Sequence, residues 1–177
     1  MVFAHEANPL KALVYMLRQD DPSKCTAAKL VRFGLAQPAK LVRRNTIVLN
    51  PFSERPVMKS DARVADSTCA IDCSWERAAE VLRMERLIAR GIARRLPALL
   101  AANPVNYAKL GKMSSAEALA ASLYILGFRG MAGQIMDKFK WGHTFLELNS
   151  EPLLEYAETE SLDDLLRIER EYFPQLD

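Results

Sequence analysis

The chain has 177 residues, 50 % of them apolar and 26 % charged, which is the balance of a globular unit and excludes collagenous, disordered and coiled-coil chains. The net charge of +2 hides a division: residues 1–100 carry 17 Lys and Arg against 10 Asp and Glu, whereas residues 101–177 carry 7 against 12. No apolar run approaches the roughly 20 residues of a membrane span, no basic-then-apolar leader opens the chain, and three cysteines without a C-x-x-C cannot make a fully paired disulfide set, so an intracellular, cytoplasmic protein with reduced thiols is expected.

In the first hundred residues, short runs that are apolar at nearly every position alternate with helical patterns. Ala12–Leu17, Asn45–Asn50, Thr68–Ser74 and Arg94–Leu100 read as strands buried on both faces. Between them, Ser23–Phe33, a short stretch near Ser60–Val64, and Trp75–Ala89 read as helices. This alternation predicts a mainly parallel sheet with helices over residues 1–100. Strand signals stop after Leu100. Helices are predicted at Ser114–Leu126, Gly130–Phe139, His143–Leu148, Pro152–Glu158 and Leu162–Phe173, the first opened by a Ser114/Glu117 capping box, so residues 101–177 read as an all-helical lobe.

Several chemistries have no support in the motifs. There is no G-x-G-x-x-G and no G-x-x-x-x-G-K-[ST], which argues against a dinucleotide or P-loop nucleotide. His5 and His143 stand apart with no third ligand at metal spacing, and Cys69 and Cys73 offer only two soft ligands, so no metal is expected. Two segments ask for a ligand. Ile71–Trp75 closes a strand and opens a helix, the place where open α/β sheets bind ligands. Asp72 there is either a helix cap or a ligand contact, and Trp75 either core or wall. The second segment, Leu96–Ser115, leaves the last strand through the turn Asn103-Pro104-Val105-Asn106-Tyr107, whose main-chain groups suit an adenine edge or a carboxylate. The basic residues Lys24, Lys29, Arg32, Lys40, Arg43, Arg44, Arg90, Arg94 and Arg95 recur beside these segments and suggest a polyanionic partner.

Four stretches in this order carry a resemblance: Asp20-Asp21-Pro22-Ser23-Lys24-Cys25-Thr26, Asp72-Cys73-Ser74-Trp75-Glu76, Leu96 to Tyr107, and Lys140-Trp141-Gly142-His143-Thr144-Phe145-Leu146-Glu147-Leu148-Asn149. Together, across about residues 12–160, they resemble the ribosome-biogenesis aminocarboxypropyltransferases that modify a pseudouridine of small-subunit rRNA. The resemblance implies a SPOUT-like fold with a deep trefoil knot, with the helical lobe threaded through it. It also implies S-adenosylmethionine as donor, transfer of its 3-amino-3-carboxypropyl group to N3 of the base, small-subunit (pre-)rRNA as partner, and a monomer. Where that family usually has Gly after the Asn-Pro-Val-Asn-Tyr run, this chain has Ala108.

Carried onto these positions, the resemblance implies that Thr26 and Tyr107 contact the donor and that Trp75 walls it, with a cation–π attraction to the positive sulfur. Main-chain groups at Leu49, Ile71, Leu100, Ser115 and Leu119 hold its ribose and adenine. Asp72 is the expected catalytic residue, as base for the N3 proton or as anchor for the donor's ammonium. Lys24, Lys29, Arg32, Arg43, Arg44, Arg94 and Arg95 are the expected RNA contacts. A SPOUT-like methyltransferase and a non-catalytic pre-rRNA-binding assembly factor are the alternatives.

Overall fold

A computed structural model describes residues 10–17, 25–80 and 90–176 of the chain. Five parallel strands, β1 (Lys11–Met16), β2 (Gln37–Pro38), β3 (Thr46–Leu49), β4 (Ser67–Asp72) and β5 (Ile92–Arg94), form one sheet in the order β2-β1-β4-β3-β5. The helices are α1 (Thr26–Arg32), α2 (Ser115–Ile125), α3 (Arg129–Met136), α4 (Gly142–Leu148), α5 (Ser150–Glu158) and α6 (Leu162–Tyr172), with 3₁₀ turns at Lys59–Arg63 and Pro174–Leu176.

Strand period explains how the sheet divides its side chains. Ala12, Val14, Ile47, Leu49 and Ala70 point to the face covered by α1 and α2 and enter the main core, while Leu13, Tyr15, Val48, Cys69 and Ile71 meet Val42 on the other face. β4 lies between β1 and β3, so its residues 67–70 are buried on both faces. A buried hydroxyl pair, Thr68 Oγ1 and Ser122 Oγ at 2.8 Å, ties β4 to α2. The main core runs on without a break into Leu153, Tyr156, Leu165 and Ile168 of α5 and α6.

Most expected elements are found within two residues of their expected ends; α3 stops at Met136, three residues short of the expected Phe139, and the exceptions that follow have physical causes. β2 is a two-residue edge pairing, too short for any hydrophobic period to reveal. The expected strand Arg94–Leu100 lies elsewhere: β5 is Ile92–Arg94, and after a single bridge between Arg95 and Pro56 the chain leaves the sheet. Pro97 has no N–H to give to a ladder, and Leu99 is apolar because it is buried in the main core, not because it lies in a strand. Of the expected helix Trp75–Ala89, residues 78–80 are helical and residues 81–89 lie outside the described residues. Lys24 and the start of the expected helix Ser23–Phe33 do as well; Cys25 caps α1.

Candidate active site

The carboxyl ends of β3 and β4 and the segment leaving β5 open onto a cleft of about 1350 Å³. Leu49, Ile71 and Asp72 reach it from the strand ends, and Leu96, Pro97 and Ala98 from the exit of β5. The N-termini of α1 and α2 close another side, because Thr26 Oγ1 accepts the Ala116 N–H at 3.3 Å and so joins the two helix starts. Positive helix ends and strand carboxyl ends facing one cavity make a setting suited to an anionic or polar group.

Asp72 sits at the end of β4, and its Oδ2 accepts the Cys25 thiol at 3.2 Å. The same sulfur accepts the Ala28 N–H at 3.3 Å, which makes it the N-cap of α1. Burial pushes the Cys25 thiol up to about 11, and the neighbouring Asp72 adds to the shift, so sulfur stays protonated and donating at neutral pH. Helical structure resumes only at residue 78, too far along for Asp72 to cap it.

Trp75 forms a wall of the cleft. Its indole N–H donates to the Met113 carbonyl at 3.2 Å, which fixes the ring, and the Lys112 ammonium lies 4.6 Å from the ring centroid. Across from it, the turn after Ala101 is held by one buried carboxylate. Glu117 accepts the N–H groups of Ala102 (2.7 Å), Asn103 (3.0 Å) and Ser114 (2.7 Å) and the Asn103 amide (2.8 Å). The capping box expected from Ser114 and Glu117 is formed, and its acid also organises a loop fifteen residues upstream.

Thr26, Leu49, Ile71, Asp72, Trp75 and Ser115 all line the cleft, as does Lys29. Three other expected donor contacts stand apart from it. Leu119 is fully buried in the core. Leu100 has its N–H bonded to Asn149 Oδ1 (2.8 Å) and its carbonyl to Asn149 Nδ2 (2.9 Å), so its main-chain groups already have partners. Tyr107 is 60 % exposed and does not line the cleft.

Arg32, Arg43 and Arg44 are exposed. Arg94 and Arg95, expected on RNA, are instead engaged inside the protein. Arg94 forms a fork with Asp61 (Nη2 to Oδ1 at 3.0 Å), and Arg95 a fork with Glu169 at 2.6 and 2.8 Å. Glu169 also accepts the Ala98 N–H at 2.7 Å, which moors the loop after β5 to α6. Sequence reasoning missed Cys25 as the partner of Asp72, as well as Met113, Phe139 and Trp141 of the lining. Only the shared membership of Cys25 and Asp72 in two ordered motifs pointed to their meeting.

Among the described residues no group of three or more His, Cys, Asp and Glu is placed to hold a metal. The family model described as "Ribosome biogenesis protein, C-terminal" matches residues 47–173. A second, "Possible Fer4-like domain in RNase L inhibitor, RLI", matches residues 10–44. That stretch holds one cysteine, Cys25, where an iron–sulfur cluster takes about four thiolates, so these residues do not fit a cluster. The chain is 41 % identical over 163 residues to the 16S rRNA aminocarboxypropyltransferase of Methanosarcina acetivorans, covering 90 % of this chain and 92 % of that one. It is 43 % identical to the enzyme of the same name from Halobacterium salinarum, covering 86 % and 90 %. The solved structure of the SAM-dependent rRNA:acp-transferase Tsr3 from Vulcanisaeta distributa superposes with a TM-score of 0.82 at 40 % identity, covering 92 % of this chain and 88 % of that one.

Proposed function

The chain belongs to the family of 16S rRNA aminocarboxypropyltransferases, and from that premise we propose that it transfers the 3-amino-3-carboxypropyl group of S-adenosylmethionine to N3 of a (methyl)pseudouridine in small-subunit rRNA during ribosome biogenesis. The observation that carries this reading is the cleft itself. Thr26, Asp72, Trp75 and the Leu96–Ala98 segment, drawn from three motifs distant in sequence, line one cavity at the carboxyl ends of the strands.

When bound, the sulfonium donor supplies an electrophilic carbon and a neutral thioether leaving group. What this chain contributes is orientation, because the carbon turned towards the nucleophile decides which group moves. Trp75, held by Met113, and the apolar side chains of Leu96, Leu110 and Met113 provide a wall that shields a methyl group. Thr26 and the two helix starts offer polar contacts at the other end. As N3 attacks, the N3–C bond forms, the C–S bond breaks with its electron pair remaining on sulfur, and the N3 proton must leave. Asp72 is the base that takes it, oriented by the Cys25 thiol. The basic residues Lys29, Arg32, Arg43 and Arg44 supply backbone contacts to the RNA.

The same reading includes the SPOUT-like trefoil knot, with a helical lobe from residue 101, and a monomer working in the cytoplasm. The wholly parallel order β2-β1-β4-β3-β5 is what supports the topology. Two parallel reactions on 16S rRNA test the reaction, one with donor labelled in the carboxyl carbon and one in the methyl. Carboxyl label alone is expected in the RNA; methyl label alone makes the protein a methyltransferase, and no label in either favours an assembly factor.

A further inference from the structure

Outside the cleft, cations from two distant segments converge on one exposed ring. Phe33 ends α1 and is 44 % exposed. The guanidinium carbon of Arg32 lies 5.5 Å from its ring centroid, and the ammonium of Lys138, on the turn after α3, lies 5.7 Å from it. Both cations are exposed, and among the described residues neither makes an ion pair. Asp137, next to Lys138, faces His143 Nε2 at 3.4 Å instead. Cation–π attraction at a solvated ring is weak, so both charges remain available to an anionic group that meets the ring.

The patch leads into the cleft on both sides. One turn back along α1, Lys29 lines the cavity; just after Lys138, Phe139 and Trp141 line it with their rings 5.0 Å apart. A run of cations interleaved with aromatic rings, leading into a cavity, is the surface that binds single-stranded nucleic acid: phosphates meet the charges and bases stack on the rings.

We infer that Arg32, Phe33 and Lys138 form a docking track for a single-stranded stretch of the rRNA flanking the modified base. This rests on the function proposed above and adds to it where the RNA runs. The track crosses from the basic first half of the chain onto the net-acidic second half through Lys138, a residue that charge counting over the two halves passes over.

The test measures affinity of the full chain for transcribed 16S rRNA at two salt concentrations, and donor affinity by calorimetry without RNA. In the Arg32→Gln/Lys138→Gln double variant, RNA affinity is expected to fall about tenfold at low salt, and the slope of log affinity against log salt to shrink by about 1 to 2. Phe33→Ala is expected to lose about tenfold and Phe33→Tyr to keep its affinity, since only the first removes the stacking face. Donor affinity stays unchanged in all of them, which reports an intact fold, and Arg167→Gln, at an exposed ion-paired position of α6, changes neither. Unaltered RNA affinity and slope in the double variant and in Phe33→Ala would overturn the track. The same affinities are measured with whole small ribosomal subunits, and losses seen there but not with naked RNA would also overturn the track, making the patch a protein-binding surface. The labelled-donor reaction separates the two ideas: transfer without these losses removes the track alone, and losses without transfer remove the proposed reaction alone.

Discussion

The Cys25 thiol and the Asp72 carboxylate, 47 residues apart, meet at 3.2 Å, and their contact sets the chemistry at the end of β4. A thiol pushed up to about 11 donates throughout the physiological range and cannot compete as a nucleophile there. Cys25→Ser keeps a donor and is expected to keep most of the turnover, whereas Cys25→Ala should lower kcat about tenfold with donor affinity little changed. Asp72→Asn should lower kcat by at least about a hundredfold, in line with loss of a general base. If Asp72→Asn kept its turnover at saturating donor and lost only donor affinity, the anchoring role would replace the basic one. The thiols also set a limit at high pH. Burial pushes Cys25 to about 11 and Cys69 to about 12 from 9.0, so the folded state keeps protons that the unfolded chain releases. The stability they contribute is complete below pH 9 and lost as pH rises through 11 to 12. Urea midpoints should be insensitive to these thiols up to pH 9 and fall above it. Ala108 carries a different strain. It has φ +60° in the turn after Tyr107, and a Cβ there costs about 1 kcal/mol. Ala108→Gly should therefore leave stability unchanged or raise it by up to about 1 kcal/mol, the upper figure being reached only if the added freedom of the unfolded chain is small. A thermal melt decides.

Among the elements, two buried carboxylates hold the loops that make the cleft. Glu117 at the start of α2 serves three N–H groups of the turn after Ala101 and the Ser114 N–H at its own cap, and Glu169 in α6 serves Arg95 and the Ala98 N–H. Glu117→Ala strands several buried donors at about 1 to 3 kcal/mol each, so unfolding by urea should show a loss of at least 3 kcal/mol together with weakened donor binding. Helices α2 to α6 were legible from hydrophobic period and, at α2, a capping box, and β1, β3 and β4 from short runs apolar at nearly every position, all of them local signals. The path of Leu96–Leu100 was not, because its apolar residues serve a core built by α5 and α6, far along the chain. Adjacent arginines carry the same ambiguity. Nothing near Arg94 or Arg95 announces that Asp61 and Glu169 lie 33 and 74 residues away and take up both guanidinia.

Across the whole molecule, the charge division acquires a location once the internal pairs are set aside. Arg94 and Arg95 are neutralised within the protein, whereas Lys29 stands at the cleft and Arg32, Arg43 and Arg44 are exposed. Only cations that reach phosphate release counterions, and each contributes about 0.7 to 0.9 to the slope of log affinity against log salt. If these four and Lys138 meet RNA, that slope should be about −4, and Arg43→Gln/Arg44→Gln should make it shallower by about 1 to 2. Arg94→Gln, in contrast, should lower stability by roughly 3 kcal/mol by leaving Asp61 unpaired, while leaving the slope of the folded protein as it was. The proposed donor cleft is walled largely by apolar side chains such as Leu49, Leu96, Leu110 and Met113, so donor affinity should vary little over the same salt range. Filter binding with 16S rRNA and calorimetry with donor alone separate the two dependences. A flat RNA response would show that the basic excess of the first hundred residues serves solubility and not recognition, and would leave the cleft without the means to hold its RNA in place.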